Sequence, residues 1–144
     1  MPAPATRRRW GRFPTTADVG IWATGATVPQ VFEALGLGLF ALMTDLKKVA
    51  PREQRVVSAS GADVPALVVA YLSQLLLLEQ TDGFIAREIE ARPIGSPPTA
   101  ILATASGEPL DVGRHPRRVE VKAITWHQLT IDLELRRARV IVDI

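Results

Sequence analysis

The sequence contains no cysteine and only two histidines among its 144 residues. Without cysteine, the chain cannot form disulfide bonds, thiolate metal sites or a cysteine nucleophile. His115 and His127 are too few for a histidine-rich zinc site, and no G-x-S-x-G motif supplies a serine nucleophile for either of them. The sequence also lacks the glycine-rich motifs that hold phosphates or dinucleotides. Together these absences argue against an enzyme of a familiar type.

The chain also lacks an apolar segment that would cross a membrane comfortably. Its most apolar stretch, residues 64–78, is shorter than the roughly 20 residues of a spanning helix, and Pro65, Ser73 and Gln74 interrupt it. No apolar h-region follows the first residues, so we expect no signal peptide. Hydrophobic residues make up 47% and charged residues 22% of the chain, which suits one globular domain. We therefore expect a cytoplasmic protein with no membrane contact.

The chain has no large excess of positive or negative charge, since its formal net charge is +2. Arginines nevertheless cluster at residues 7–9 and around His115. Such clusters can contact RNA phosphates, although an arginine-rich tail is more often simply solvated. The modest net charge and the absence of an aromatic–basic repeat argue against a plain RNA-binding protein. We expect any contact with RNA to be indirect.

Two helices and several strands are predicted from capping residues and hydrophobic spacing. Thr27 is expected to cap a helix that ends near residues 44–45, and Asp63 a second, largely buried helix. Gly36 and Gly38 lie inside the first helix, and we attribute them to close approach of another backbone. Strands are predicted at 8–13, 18–24, 54–60, 84–94, 99–105, 119–126, 129–136 and 140–144, with a loop at 106–118 and a turn at 137–138.

These elements predict an α+β fold. We expect a single domain of residues 8–144, with a mixed or mostly antiparallel sheet and two main helices packed on it. Residues 1–7 contain Pro2 and Pro4 among small residues, and we expect them to form a flexible N-terminal tail.

Two aspartates stand at the ends of predicted strands. Asp18 begins one strand, and Asp143 is penultimate and is followed by the terminal carboxylate of Ile144. Aspartates at strand ends lie side by side when the strands are neighbours, and such oxygen ligands suit a hard cation such as Ca²⁺ or Mg²⁺. The other interpretation, which chemistry alone favours, is that Asp18 caps a turn and Asp143 is a solvated chain end.

Lys122 lies among apolar residues of the predicted strand 119–126. Alternation along that strand places Lys122 on an outward face with Glu120, opposite Val121 and Ala123. Lys122 is then an ordinary sheet-surface residue, or it presents its positive charge to a phosphate or to an acidic partner surface.

Four segments of the chain resemble the motifs of the archease family. They are TTADVGIWATGAT (15–27), LFALMTDLKKVAP (39–51), GEPLDVGRHPRRVEVKAITWHQL (107–129) and VIVDI (140–144). They stand in the family's order across residues 13–144, and the combination is far more specific than any single segment.

The resemblance implies a function for the chain. An archease-like accessory protein activates an RtcB-type RNA ligase, in tRNA splicing or RNA repair, by promoting its metal-dependent guanylylation and multiple turnover. The family's motifs place a divalent cation on Asp18, Asp143 and Ile144; Ca²⁺ is the first expectation, with Mg²⁺ or Mn²⁺ as alternatives. The lysine of the E-V-K-A motif corresponds to Lys122 and implies a contact with the partner.

The chain departs from the family's pattern beside the predicted metal site. Pro14 and Thr15 stand where the family has an acidic residue and a histidine, and Trp126 replaces a tyrosine. The alternative function is a metal-dependent enzyme that acts on nucleotides or RNA through Asp18 and Asp143. That alternative lacks a general base beyond the two carboxylates themselves.

Overall fold

The strands form two antiparallel sheets that lie against the helices. The computed structural model describes residues 2–144, so Met1, which belongs to the predicted tail, lies outside the described residues. Within that range the elements are β1 (Arg9–Pro14), β2 (Val19–Thr24), α1 (Val28–Met43), a 3₁₀ helix (Leu46–Lys48), β3 (Glu53–Ser60), α2 (Val64–Asp82), β4 (Phe84–Gly95), β5 (Pro98–Pro109), β6 (Ala123–Ile124), β7 (Thr130–Asp132) and β8 (Arg137–Asp143).

The topology confirms the predicted α+β class. One sheet has the order β1-β2-β8-β6, with β7 also pairing with β8, and the other has the order β3-β5-β4. Every strand pairing among the described residues is antiparallel. The strands therefore form two sheets where the sequence suggested a single one.

Helix α1 lies between the two sheets. It is capped by Thr27, as predicted, and it contacts β1 and β2 of one sheet and β4 of the other. A Cβ atom on Gly36 would lie 2.5 Å from Ile89 Cδ1, and one on Gly38 would lie 2.6 Å from Ile21 Cγ2. The two glycines thus face opposite sheets. Neighbouring side chains, and not the neighbouring backbone that we expected, leave no room for larger residues.

Helix α2 is the second core helix. It is capped by Asp63 and ends at Gly83, whose φ of 67° is a left-handed conformation that glycine adopts without strain. By length and by its mean hydropathy of 1.3, α2 is apolar enough to cross a membrane. This is weak evidence for a membrane span, because buried core helices share these properties. Its buried residues are Leu67, Val68, Tyr71, Leu72, Leu75 and Leu76, and the helix packs against β3 and β5.

The strand predicted just before the C-terminal strand is mostly a turn. Of residues 129–136, only Thr130–Asp132 pair with β8. The Asp132 carboxylate accepts a hydrogen bond from Leu135 N at 3.0 Å, and Arg136 adopts a φ of 54°. The leucines continue to alternate through this turn, which is why the pattern was misleading. The chain therefore reverses before β8 begins, and the turn that we predicted at 137–138 is wrong.

Strand β5 continues past its predicted end at residue 105 and reaches Pro109. Gly107 makes this extension possible, since a Cβ atom there would collide with the carbonyl oxygen of Ile85 on β4. The extension carries Glu108, expected in a loop, into the interior, where its exposed fraction is 0%.

Candidate functional site

The strand register brings Asp18 and Asp143 to the same end of two adjacent strands, β2 and β8, of the five-stranded sheet. We call this end of the strands the sheet edge. Val19, the first residue of β2, pairs with Val142 of β8. Asp18 therefore directly precedes this pair, and Asp143 directly follows it on the neighbouring strand. Because Ile21 and Val142 point into the core, alternation places both aspartates on the outer face of the sheet.

Thr15 shapes the turn that leads to Asp18. Its hydroxyl oxygen accepts a hydrogen bond from Asp18 N at 2.9 Å. The residue that stands where the family has a histidine thus acts through its side chain on the backbone of Asp18. Among residues 2–144, neither the Asp18 nor the Asp143 carboxylate takes part in an ion pair.

The backbone of Lys122 is held from both sides. Its N–H donates to Asp143 O at 2.7 Å, and its carbonyl accepts from Gln80 Nε2 at the end of α2 at 3.1 Å. Lys122 is exposed, as predicted, while Val121 is buried. Two details were wrong: of the predicted strand 119–126 only Ala123–Ile124 is a strand, and Ala123 is exposed. These two hydrogen bonds, which we call the backbone clamp, hold the backbone of Lys122 beside Asp143.

A cleft of about 680 Å³ adjoins Lys122. Arg117 and Arg118 line it together with two carboxylates, Glu79 and Glu120. Partial burial raises the pKa of Glu79, an effect that the nearby Arg117 opposes and Glu120 reinforces. The cleft therefore combines three cationic side chains with acidic ones and carries no large charge of one sign.

The segment of the cleft that contains Arg118 is hydrogen-bonded to the C-terminal end of α1. The N–H groups of Arg118 and Val119 donate to the carbonyls of Met43 and Leu42 at 3.0 and 2.9 Å. These carbonyls lie in the last turn of α1, where helix geometry leaves them without partners inside the helix. Basic residues at a helix C-terminus are favoured by the partial negative charge there.

A buried network around Glu108 anchors the loop that leads to Lys122. One Glu108 carboxylate oxygen accepts hydrogen bonds from Arg52 Nε at 3.0 Å and from Arg114 at 2.8 Å. The other accepts from Ala50 N at 2.8 Å and lies 3.0 Å from His115 Nε2. Burial raises the pKa of Glu108, but the hydrogen bonds from Arg114, Ala50 N and His115 outweigh it and lower the pKa to about 2.

The same network fixes the tautomer of His115. Its Nδ1 accepts a hydrogen bond from Asp111 N at 2.8 Å, so the ring proton is on Nε2 and is donated to Glu108. His115 is 1% exposed, and therefore it acts in the structure of the loop. Sequence reasoning missed Glu108 altogether; the one available signal was a glutamate between a buried strand and the H-P pair.

The donor atoms at the sheet edge suit a hard cation. Within residues 2–144, no group of three or more histidine, cysteine, aspartate or glutamate side chains is close enough to hold a metal. Asp18, Asp143 and Ile144 therefore stay a predicted set of ligands, which the sequence motifs suggest and the grouping of these side chains does not by itself identify. An all-oxygen set of this kind suits Ca²⁺ or Mg²⁺ better than a soft metal.

The fold and site define a class of molecule: a single α+β domain in which two aspartates at the ends of adjacent strands lie near a cleft of mixed charge. The chain belongs to the archease protein family, whose model matches residues 10–144. Its sequence is 40% identical over 126 residues to the protein archease of Thermococcus gammatolerans, covering 87% of this chain and 89% of that protein. It is 36% identical over 138 residues to the protein archease of Methanothermobacter thermautotrophicus, covering 92% and 96%.

Solved structures agree with this assignment. The solution structure of protein 1598 from Methanobacterium thermoautotrophicum matches with a TM-score of 0.79 at 32% identity, covering 94% of this chain and 98% of that one. A crystal structure from Thermotoga maritima, described as an archease and possible chaperone, has a TM-score of 0.59 at 16% identity, covers 93% and 98% of the two chains, and shares the fold. None of these names states a catalytic activity, and the description as a possible chaperone belongs to the Thermotoga maritima protein.

Proposed function

We propose that this chain activates an RtcB-type RNA ligase in the cytoplasm, and so acts in tRNA splicing or RNA repair. In this proposal it promotes the metal-dependent guanylylation of the ligase and its multiple turnover. The observation that carries the proposal is that Asp18 directly precedes β2 and Asp143 ends the neighbouring strand β8. The backbone of Lys122 is hydrogen-bonded to Asp143. Membership of the archease family also supports it, since the family's motifs assign these roles to the same residues.

The residues of the edge divide into two roles. Asp18, Asp143 and Ile144 would hold a divalent cation, Ca²⁺ in the first instance. A bound cation there would neutralise phosphate charge close to the partner's reacting groups. Lys122 would contact a phosphate or an acidic surface of the ligase. Its backbone hydrogen bonds with Asp143 and Gln80 support this role because they hold the exposed lysine in one place.

A multiple-turnover ligation assay tests the proposal directly. We expect that adding this protein to the cognate ligase, with RNA, GTP and divalent cation, increases both the ligated product per ligase molecule and the rate of guanylylation. Incubation of this protein with labelled GTP and RNA, but without ligase, should give no adduct and no joined RNA. A labelled adduct on this chain would favour the alternative, a metal-dependent enzyme, and an unchanged ligase rate would refute activation.

Replacing Lys122 with alanine is expected to reduce activation about tenfold, a loss of roughly 1.4 kcal/mol in coupling to the partner. The side chain is exposed, so the melting temperature should stay unchanged. Lys122→Arg should restore part of the effect because it keeps the charge. Lys48→Ala is the matched control, since Lys48 is an exposed lysine of the 3₁₀ helix. Full activation by Lys122→Ala would rule out the role assigned to this residue.

A further inference from the structure

The outer face of the five-stranded sheet carries two aromatic rings that lie flat on glycines. Trp22 pairs with Gly11, and Phe13 pairs with Gly20. A Cβ atom on Gly11 would lie 2.5–2.6 Å from three atoms of the Trp22 indole, and one on Gly20 would collide with the ring of Phe13. Each ring therefore covers a glycine with one face and turns its other face away from the sheet.

An arginine stacks over each of these rings. The guanidinium carbon of Arg139 lies 4.0 Å from the centroid of the Phe13 ring, and that of Arg9 lies 5.9 Å from the Trp22 ring. Both arginines are exposed. Among residues 2–144, neither forms an ion pair with a carboxylate. Their charge is therefore available to a ligand.

The two stacked pairs form a row along β2. Trp22 and the Gly20 position covered by Phe13 are two residues apart on the same face, about 7 Å along the strand. In register with them on β8, Arg137 and Arg139 also lie on this face. The central part of the face thus presents three arginines and two aromatic rings. Asp132 of β7 pairs with Arg137 at its side, and Asp18 and Asp143 lie at its far end.

We propose that this face, made of Arg9, Phe13, Trp22 and Arg139, binds single-stranded nucleic acid. Stacked guanidinium and aromatic planes accept unpaired bases, whereas the arginine charge attracts the phosphate backbone. A duplex keeps its bases stacked inside and offers only phosphates to such a flat surface. The contact would be direct, unlike the indirect RNA contact expected from the sequence, and it does not depend on the ligase proposal.

Binding of fluorescent 12-nucleotide oligouridine, followed by anisotropy, tests this inference on the full chain. Oligothymidine and an RNA duplex of the same length are the comparison probes. We expect single strands to bind more tightly than the duplex, with log K falling against log salt at a slope of roughly −1.4, which corresponds to two phosphate contacts. Oligothymidine distinguishes a site that requires RNA from one that accepts any single strand. The absence of single-strand binding at about 50 mM salt, or tighter duplex binding, would overturn the proposal.

Three variants separate a binding surface from a structural one. Arg139→Gln should weaken oligouridine binding about five- to tenfold and make the salt slope shallower by about 0.7. Arg139→Lys keeps the positive charge but loses the planar guanidinium group, so the affinity for oligouridine should fall while the slope of log K against log salt stays the same. Arg12→Gln is the control, because Arg12 is an exposed arginine of β1 that alternation places on the opposite face. Equal losses for Arg12→Gln and Arg139→Gln would show that general charge alone binds the strand.

Discussion

Replacing Asp143 with asparagine is expected to abolish activation of the ligase, so that turnover returns to the level of the ligase alone. The amide has nearly the shape of the carboxylate but lacks its negative charge, and the charge of the ligands largely sets the affinity of an oxygen site for a cation. We expect Ca²⁺ affinity, measured by calorimetry, to fall by more than about tenfold, or roughly 1.4 kcal/mol. The fold should be unaffected because Asp143 is exposed and β8 keeps its backbone pairing.

Two further variants make this test specific. Asp18→Asn should produce the same loss, and the double variant little more than either single one, because both carboxylates serve one cation. Glu134→Gln is the matched control, since Glu134 is an exposed carboxylate in the turn before β8. Two results would contradict the proposal. One is full activation by Asp143→Asn, and the other is lost activation with unchanged cation affinity.

Local signals in the sequence were sufficient for the two helices. Thr27 and Asp63 cap α1 and α2 where predicted, because a capping side chain acts within a few residues of itself. Local signals do not predict that Asp18 and Asp143 lie at the same end of the sheet. That prediction requires knowing that β2 pairs with β8, which is more than a hundred residues later in the sequence. The family resemblance supplied that step, since no local pattern specifies which strands are neighbours.

What the sequence did not show depends on contacts between distant segments. Glu108 finds its partners Ala50 and Arg52 more than fifty residues earlier in the chain. The aromatic and basic residues of the outer sheet face likewise interleave across strands and not along the chain, which is why no aromatic–basic repeat was visible. Arg139 meets Phe13 only because β8 and β1 flank β2.

Glu108→Gln is expected to destabilise the fold by about 3 kcal/mol, although glutamine has almost the same size. All four groups that contact Glu108 are hydrogen-bond donors, two at each carboxylate oxygen. In glutamine, the side-chain NH₂ group replaces one of these oxygens, and because it is also a donor, two of the four groups lose their acceptor. Breaking a buried ion pair costs roughly 3–5 kcal/mol. We expect the lower value because Arg52 and Arg114 are 63% and 49% exposed and can regain water.

Chemical denaturation and thermal melting measure this loss, and the melting temperature should fall by roughly 10 °C. Glu90→Gln is the control, because Glu90 forms an ion pair with Arg92 in which both side chains are at least 70% exposed. Such a surface pair contributes about 0–1 kcal/mol. Since the network anchors the loop before Lys122, ligase activation by Glu108→Gln should also fall. Stability within about 0.5 kcal/mol of the native protein would mean that the network contributes little to the fold.

The pH dependence identifies charge as the cause of this stabilisation. Hydrogen bonds from Arg114, Ala50 N and His115 outweigh the effect of burial and hold the pKa of Glu108 at about 2, against an ordinary value of 4.5. A group whose pKa is lower in the folded state stabilises the fold above its unfolded pKa and loses that contribution as pH falls through the folded value. The stability difference between the native protein and Glu108→Gln should therefore be constant above about pH 5 and shrink between pH 4.5 and 2. A difference that persists unchanged down to pH 2 would instead indicate altered packing around the amide.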